Sequence, residues 1–220
     1  MKNKVLVIGA DHHNTLGIVE SLGQKGLNSY VLIVGENINS FVLKSRYVIE
    51  GWVCSSPEQV VDEMLKHFSD TKNKVIVYSS YDNISSVLDS SVQRLSPFFI
   101  LPVTNMPGSL ERKMSKEYMS DLAREVGLDV PRTWMVSDRE VPTDIEFPCI
   151  TKAISSVEGS KKNIKICKKR EELEEFLANS EHCPIIQIQK FIIKDFEFQF
   201  LGCSMDNGKH IIISGRTHID

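Results

Sequence analysis

The amino-acid sequence predicts an α/β fold in which a Rossmann-like domain with a parallel β-sheet precedes a smaller α+β unit. Over residues 1–107, apolar runs alternate with segments whose apolar residues recur at helical spacing, which is typical of a parallel sheet covered by helices. Over residues 108–220, a helical linker is followed by several strand-like runs around a single helical segment, which favours a more antiparallel sheet. A length of 220 residues allows one large domain or two small ones.

Apolar runs and helical spacing predict the elements of the first domain. Residues 4–9 form a continuous apolar run ending in glycine, as expected of a parallel strand buried on both faces. Similar runs predict strands at 29–34, 75–78 and 98–101. Apolar residues at helical spacing predict helices at 16–22, 60–68 and 84–95. Ser56, Pro57 and Gln59 predict the start of the second helix, with serine as the N-cap and proline in the first turn.

Proline and glycine separate the first domain from the second. Pro102 and the pair Pro107-Gly108 interrupt the chain, and the next helix has Ser115 as its predicted cap and Gly127 as its predicted end. We expect its apolar side chains to face inward, namely Met119, Leu122, Ala123 and Val126. Strands follow at about 133–137, 148–152, 163–167, 185–189, 196–201 and 210–214, with one helix near 170–178.

The composition is that of an ordinary globular protein. Apolar residues make up 41% and charged residues 25%, which excludes disordered, collagen-like and disulfide-scaffold classes. No apolar run approaches the roughly 18 residues of a membrane helix. A net charge of −3 argues neither for nor against nucleic acid, and an acidic run cancels the basic run at 161–170, so we expect neither nucleic acid nor membrane as partner. Five scattered cysteines predict reduced thiols and a cytoplasmic location.

Three polar residues, Asp11, His12 and His13, lie in the turn between the first predicted strand and helix. The dinucleotide fingerprint requires glycine where this turn has Asp11 and Asn14, and the Asp11 carboxylate would repel a pyrophosphate. This disfavours an NAD-linked oxidoreductase. Asp11, His12 and His13 could instead line a substrate cleft at the strand ends, although adjacent histidines in a polar turn are more often simply solvated.

Lys152 ends a predicted buried strand, where its charge is costly unless an anion meets it. A small polar loop follows, with Ser155, Ser156, Glu158, Gly159 and Ser160, and then another predicted strand. This arrangement suits the closure of backbone amides over a polyphosphate. The alternative is a surface hairpin whose lysine extends out of the sheet.

A second candidate segment begins at Gln189 and Lys190, where a predicted strand runs into a turn that includes Ile192. Its backbone groups could bind the edge of an adenine, and Glu197 on the next strand could accept hydrogen bonds from ribose hydroxyls. Taken alone, the segment is equally an amphipathic sheet edge. Lys116, next to the predicted helix cap, is by itself a solvated lysine.

Together these segments resemble the ATP-grasp superfamily over nearly the whole chain. The run at 5–10 and the segment 16–26 look like the first domain of carbamoyl-phosphate-synthase-like and D-aspartate-ligase-like members. The stretch 115–133 is similar to the family's pattern of Asp-Lys, Leu-Ala and Gly-Ile-Pro-x-Pro, here with Ser115-Lys116, Leu122-Ala123 and Gly127 to Pro131. The loop Glu158-Gly159-Ser160 looks closest to that of D-alanine–D-alanine ligases.

The resemblance implies a role for each matching residue. Lys116 corresponds to the family's first ATP-contacting lysine, and Lys152 to the second, which contacts the α- and β-phosphates. The loop at 155–160 corresponds to the phosphate cover, the segment 189–192 to the adenine hinge, and Glu197 to the ribose-binding glutamate. The implied ATP-binding set is Lys116, Lys152, Ser155, Ser156, Glu158, Gly159, Ser160, Gln189, Lys190, Ile192 and Glu197.

The resemblance also implies a fold and an activity. We expect a pre-ATP-grasp domain at 1–107 and, at 108–220, a helical linker with an incomplete ATP-grasp lobe. The parent would be an ATP- and Mg²⁺-dependent carboxylate–amine (or thiol) ligase that forms an acyl phosphate. Its substrates would be small carboxylates and amines. The resemblance leaves open whether the protein forms a homodimer. We expect the magnesium ligands and catalytic residues beyond Asp220, so this chain would be inactive alone. The alternative is a non-catalytic nucleotide-binding or regulatory module.

The chain departs from the family pattern at three positions. Ala153, Lys162 and Gln189 stand where proline, glycine and glutamate are usual. The loop at 155–160 also has one glycine where relatives often have several.

Overall fold

The structure is a computed structural model that describes residues 3–103, 106–137, 139–153, 164–180, 185–205 and 209–219. The chain divides into two compact units, Met1–Leu122 and Ala123–Asp220. The domain boundary that the sequence predicts at residue 107 stays a prediction.

The first unit contains a five-stranded parallel sheet, which confirms the predicted Rossmann-like parallel sheet. Its strands are β1 (Val5–Gly9), β2 (Ser29–Val34), β3 (Val48–Cys54), β4 (Val75–Ser79) and β5 (Phe99–Ile100). Their order is β3-β2-β1-β4-β5, so the direction of winding reverses between β1 and β4. In sheets of this type the crevice beyond the carboxyl ends of the strands at the reversal is the usual ligand site.

The sheet has a separate apolar core on each face because successive residues of a strand point to opposite sides. The helices are α1 (His13–Gly23), α2 (Val60–Phe68), α3 (Asp82–Ser90) and α4 (Val92–Leu95). On one face, Val7 of β1 clusters with Val19 of α1. On the other face, Leu6 and Ile8 cluster with residues of α2, α3 and α4, including Phe68. Full burial contributes about 1.5–3 kcal/mol for each large side chain, and these two cores hold the sheet together.

Two elements of this unit differ from the sequence prediction. The prediction has no strand at β3, because Glu50 and Gly51 interrupt its apolar pattern. A Cβ atom at Gly51 would lie 2.4 Å from Leu43 Cδ2, so a larger residue there would require the Leu43 side chain to move. The helix predicted at 84–95 is two helices, α3 and α4, with Ser91 between them in a non-helical conformation (φ −101°, ψ 10°).

The start of α2 also differs in detail from the predicted capping box. Ser56 makes no side-chain capping bond, and the segment Pro57–Gln59 forms a 3₁₀ turn ahead of the helix. The Gln59 side chain instead accepts hydrogen bonds from the backbone nitrogen and hydroxyl of Ser55, at 3.0 and 3.1 Å. The serine that this glutamine engages is therefore one residue earlier than expected.

Two helices follow, α5 (Ser109–Met114) and α6 (Lys116–Glu125). The predicted ends of α6 are confirmed: the Tyr118 backbone nitrogen donates to Ser115 Oγ at 3.3 Å, and Gly127 has a left-handed φ of 80°. The expectation that its apolar side chains face inward is wrong for Met119, Leu122 and Val126, which are 58%, 44% and 66% exposed. Helical spacing identifies an apolar face but not the partner that covers it.

The second unit contains a four-stranded antiparallel sheet covered by one helix, as predicted. Its strands are β6 (Thr133–Val136), β7 (Cys149–Ala153), β8 (Lys165–Cys167) and β9 (Ile186–Lys190), in the order β6-β9-β7-β8. Helix α7 (Arg170–Ala178) places Leu173 and Leu177 against Cys149, Cys167 and Ile188 in the core. A hairpin follows, formed by β10 (Glu197–Met205) and β11 (His210–Ile219).

Within the described ranges, no helix combines the length and the apolar character that a membrane span requires.

Candidate functional site

The antiparallel sheet has one buried face and one more open face. Cys149 and Thr151 of β7 are buried on the side of α7. By alternation, Ile150 and Lys152 lie on the opposite side. Exposure on that side is uneven: Met135 and Ile166 are 47% and 45% exposed, whereas Gln187, the register partner of Lys152, is 5% exposed. Because it lies away from α7 and is partly exposed, this side is called the open face.

Three polar side chains form a hydrogen-bonded row across this open face. Lys152 Nζ of β7 donates to Gln189 Oε1 of β9 at 2.8 Å. Gln189 Nε2 donates to Thr133 Oγ1 of β6 at 3.2 Å, and the Thr133 hydroxyl donates to the Pro131 carbonyl at 3.0 Å. The row therefore crosses three adjacent strands. It brings together Lys152 and Gln189, two residues that the sequence predicts for ATP.

The other predicted hinge residues lie directly beyond Gln189. The Lys190 backbone nitrogen donates to the Arg132 carbonyl at 2.9 Å, and the Phe191 nitrogen donates to the Pro148 carbonyl at 2.9 Å. These bonds fix the path of the chain as β9 ends. Ile192, the third predicted hinge residue, is 58% exposed. The hinge is thus held through its backbone, while Ile192 faces solvent.

Ion pairs surround the start of this hinge. Lys190 Nζ lies 2.6 Å from Glu146 Oε2, and Arg132 Nη1 lies 3.7 Å from Glu146 Oε1. The hydrogen bond and the positive charge of Lys190 lower the pKa of the exposed Glu146 carboxyl below its ordinary value. Arg132 also pairs with Asp144, which accepts a hydrogen bond from Trp134 Nε1 at 3.0 Å. The Lys190 side chain is therefore engaged by Glu146, and its predicted ATP contact stays a prediction.

The remaining predicted ATP residues are only partly described. Lys116 is the first residue of α6 and belongs to the first unit, and Glu197 is the first residue of β10; their side chains are not among the described ones. The loop residues Ser155, Ser156, Glu158, Gly159 and Ser160 lie outside the described residues. The strands on either side of that loop, β7 and β8, pair with each other, with Thr151 opposite Lys165. The loop thus connects the two strands at the end of the sheet where Lys152 lies.

The predicted substrate residues of the first unit lie at the carboxyl end of β1. Both oxygens of Asp11 accept hydrogen bonds from the segment after β2: Oδ1 from Ser40 Oγ and from the Val42 nitrogen, and Oδ2 from Asn37 Nδ2. His12 and His13 are exposed, with ring centroids 3.8 Å apart. Asp11 therefore holds its own unit together, and the substrate role of all three residues stays a prediction.

The sequence analysis did not identify two hydroxyl groups that also lie at the carboxyl end of β1, those of Thr15 and Ser80. Thr15 Oγ1 lies 2.8 Å from Ser80 Oγ, and it donates to the Ala10 carbonyl at 2.7 Å. A Cβ atom on Gly9 would lie 2.1 Å from Ser80 Oγ, so glycine allows this close approach between β1 and the residue after β4. The polar residues that follow the apolar run of β4 were the available signal.

Among the described residues, no group of three or more histidine, cysteine, aspartate or glutamate side chains could hold a metal ion. The magnesium that the resemblance implies therefore stays a prediction.

Comparison with known proteins identifies the fold. No protein-family model matches the chain, and no curated protein sequence matches it. Solved structures do match. An L-amino acid ligase from Bacillus licheniformis is 15% identical with a TM-score of 0.71, over 99% of this chain and 51% of that one. An N5-carboxyaminoimidazole synthetase from Staphylococcus aureus is 10% identical with a TM-score of 0.71, over 98% and 54%.

A third match has nucleotide bound. The biotin carboxylase domain of Hydrogenobacter thermophilus 2-oxoglutarate carboxylase, in complex with MgADP, ADP and bicarbonate, is 13% identical with a TM-score of 0.66, over 97% of this chain and 49% of that one. The chain thus spans about half the length of these solved structures. It has the fold of the N-terminal part of ATP-grasp ligases, and the predicted resemblance is confirmed at the level of the fold.

Proposed function

We propose that this chain is the nucleotide-binding, N-terminal part of an ATP-dependent carboxylate–amine (or thiol) ligase. The observation that carries the proposal is the row formed by Lys152, Gln189 and Thr133 on the open face of the antiparallel sheet. A lysine whose ammonium is positioned by a hydrogen bond, a few residues before a hydroxyl-rich segment of the sequence, suits the binding of a polyphosphate. The fold shared with ATP-grasp ligases supports the same assignment.

The proposed reaction has two steps. In the first step, a carboxylate oxygen of the substrate attacks the γ-phosphorus of ATP and the bond from that phosphorus to the β,γ-bridging oxygen breaks. ADP is the leaving group, and the substrate becomes an acyl phosphate. In the second step, the lone pair of an amine (or a thiolate) attacks the acyl carbon, and the bond from that carbon to the phosphate oxygen breaks. Inorganic phosphate is released, and the product is an amide (or a thioester). A proton passes from the amine to solvent. Catalysis of this kind depends mainly on positioning and charge neutralisation.

The residues of this chain would bind and orient the nucleotide. Lys152 and Lys116 would neutralise phosphate charge, and the loop at 155–160 would exclude water. The hinge at 189–192 would hold the adenine, and Glu197 the ribose. When bound, Mg²⁺ would neutralise further phosphate charge. We propose that residues outside the described ranges, or in the rest of the parent ligase, would hold it.

In the first unit, the turn after β1 is the proposed substrate-binding segment. Asp11, His12 and His13 lie at the carboxyl end of β1, next to the reversal of strand order where α/β sheets bind ligands. Of the three, the two exposed histidines suit a substrate carboxylate better, because both Asp11 oxygens already accept hydrogen bonds.

Alanine substitution of Lys152 tests the proposal. We expect Lys152→Ala to weaken ATP binding by about 1.5–3 kcal/mol, roughly ten- to a hundredfold in Kd, because a charge-assisted phosphate contact is lost. The matched control is Lys165→Ala, a lysine of the neighbouring strand paired with Thr151, on the α7 side of the sheet. Displacement of a bound fluorescent ATP analogue measures both variants. Equal losses in the two would show that Lys152 belongs to an ordinary surface hairpin.

A further inference from the structure

We infer that Thr133 is a positioning residue that sets Lys152 for phosphate through Gln189. This inference rests on the proposed function, since it assigns Lys152 to ATP. The residue lies on β6, two strands away from β7, and the row of hydrogen bonds connects the two through β9.

Thr133 determines which way the amide of Gln189 points. The hydroxyl hydrogen of Thr133 is donated to the Pro131 carbonyl, so its oxygen can only accept a hydrogen bond from Gln189. The amide must therefore present its NH₂ group to Thr133 and its carbonyl oxygen to Lys152. A flipped amide would place NH₂ against the Lys152 ammonium, two donors facing one another, and the hydrogen bond would be lost.

The sheet makes this arrangement rigid. Thr133 of β6 and Gln189 of β9 lie directly opposite each other in the register of the sheet. On its other side, Gln189 lies opposite Ile150 of β7. Lys152 is two residues after Ile150, so its side chain lies on the same face of the sheet. The three side chains thus belong to three neighbouring strands on one face. The contact that Gln189 makes with Lys152 is a hydrogen bond from the ammonium to an amide oxygen, so it fixes the position of the ammonium.

Pro131 completes the arrangement from the backbone. Its carbonyl takes the Thr133 hydrogen at 3.0 Å, and the next residue, Arg132, accepts a hydrogen bond from the Lys190 nitrogen at 2.9 Å. The segment that fixes the Thr133 hydroxyl is thereby tied to the hinge. A nucleotide that engages the hinge and the lysine would meet two parts of one connected framework.

The test combines Thr133→Val, Thr133→Ser, Lys152→Ala and the double variant Thr133→Val with Lys152→Ala in the 220-residue chain. Valine keeps the shape of threonine and removes the hydroxyl, whereas serine keeps the hydroxyl. ATP and adenosine are each titrated against a bound fluorescent ATP analogue, which reports weak affinities, and thermal unfolding verifies that each variant is folded.

We expect Thr133→Val to weaken ATP about three- to tenfold, the range of one hydrogen bond, and to leave adenosine unchanged. Thr133→Ser should bind ATP like the native chain. In the Lys152→Ala background, Thr133→Val should have no further effect on ATP, because its influence passes through Lys152.

Two results would overturn the inference while leaving the proposed function intact. The first is a loss of ATP affinity in Lys152→Ala without one in Thr133→Val. The second is a Thr133→Val loss that is equal for adenosine or that adds fully to Lys152→Ala, as a general structural defect would do. If Lys152→Ala itself leaves ATP binding unchanged, the proposed function fails and the inference fails with it.

Discussion

Residues of β7 that are close in sequence have different environments because alternation sends them to opposite faces of the sheet. Lys152 faces the open side and meets Gln189, whereas Cys149 lies in the core, directly opposite Cys167 of β8. The sequence singles out Lys152, because a lysine at the end of an apolar run is unusual, and Gln189 through the family resemblance; their nucleotide-binding roles stay predictions. The contact between Thr133 and Gln189 could not be predicted, because it depends on strand register, which one sequence does not reveal.

Burial makes the core thiols unreactive. Burial, with a smaller contribution from Cys167, raises the pKa of Cys149 to about 11. The reactive form is the thiolate, so at pH 8 about one Cys149 in a thousand would be ionised, against about a quarter of ordinary cysteines. Cys203 is exposed. We therefore expect iodoacetamide at pH 8 to modify Cys203 at least a hundredfold faster than Cys149, as followed by peptide mass spectrometry.

Denaturant provides the control for this prediction. In concentrated guanidinium, Cys149 and Cys203 should react at similar rates, because unfolding removes the burial that raises the pKa. The rate at Cys149 in the folded chain should rise as the pH increases from 8 toward 11, because the thiolate fraction increases. Equal labelling of the two cysteines in the folded chain would contradict the placement of Cys149 in the core.

At the scale of elements, the sequence predicts the strands and helices that have a long apolar pattern. It does not predict a short element whose stabilising contact comes from a distant residue. The strands β1, β2 and β4 and helix α7 lie where the sequence places them. Helix α5 is absent from the prediction because it has six residues and no local cap: Gly108 precedes it without a side-chain hydrogen bond. Its cap comes from Asp89 of α3, whose Oδ2 accepts from the Leu110 nitrogen at 2.9 Å. A contact between residues 21 positions apart has no signature in local sequence.

This distant cap yields a stability prediction. Asp89 is 1% exposed, and a carboxylate at a helix N-terminus satisfies backbone donors and complements the helix dipole. We expect Asp89→Ala to lower the free energy of unfolding by about 1–2 kcal/mol, measured by urea denaturation.

The comparison is Asp62→Ala, which breaks an exposed ion pair with Arg94 at 3.1 Å. Exposed pairs contribute little, so its cost should stay below about 0.5 kcal/mol. Similar losses in Asp89→Ala and Asp62→Ala would mean that Asp89 does not hold α5.

At the scale of the whole molecule, the exposed large apolar side chains among the described residues lie mainly in loops, in α6 and in the β10–β11 hairpin. Ile211, Ile212 and Ile213 of β11 are 70%, 51% and 63% exposed. Successive residues of a strand face opposite sides, so both faces of the β10–β11 hairpin carry exposed apolar side chains. A two-stranded hairpin is at best marginally stable in water without a packing partner. The apolar pattern of the sequence predicted these strands, but it could not show that they would pair only with each other among the described residues.

The last prediction is that the 220-residue chain is folded but does not turn over substrate. Three separate apolar clusters support its two units, and the described part of the second unit keeps Lys152 and the hinge. The described residues contain no group of three or more histidine, cysteine, aspartate or glutamate side chains placed to hold a metal ion. Without a bound metal ion, the charge that develops on the transferred phosphoryl group would be under-compensated. The activation free energy of phosphoryl transfer would then rise by several kcal/mol. The measurement is phosphate release from ATP with a panel of amino acids, comparing this chain with an extended protein that also carries the C-terminal half of the proposed ligase. We expect substrate-dependent release only from the extended protein, together with slower hydrogen exchange in the hairpin. Substrate-dependent release by the 220-residue chain alone would show that its own residues complete the catalytic site.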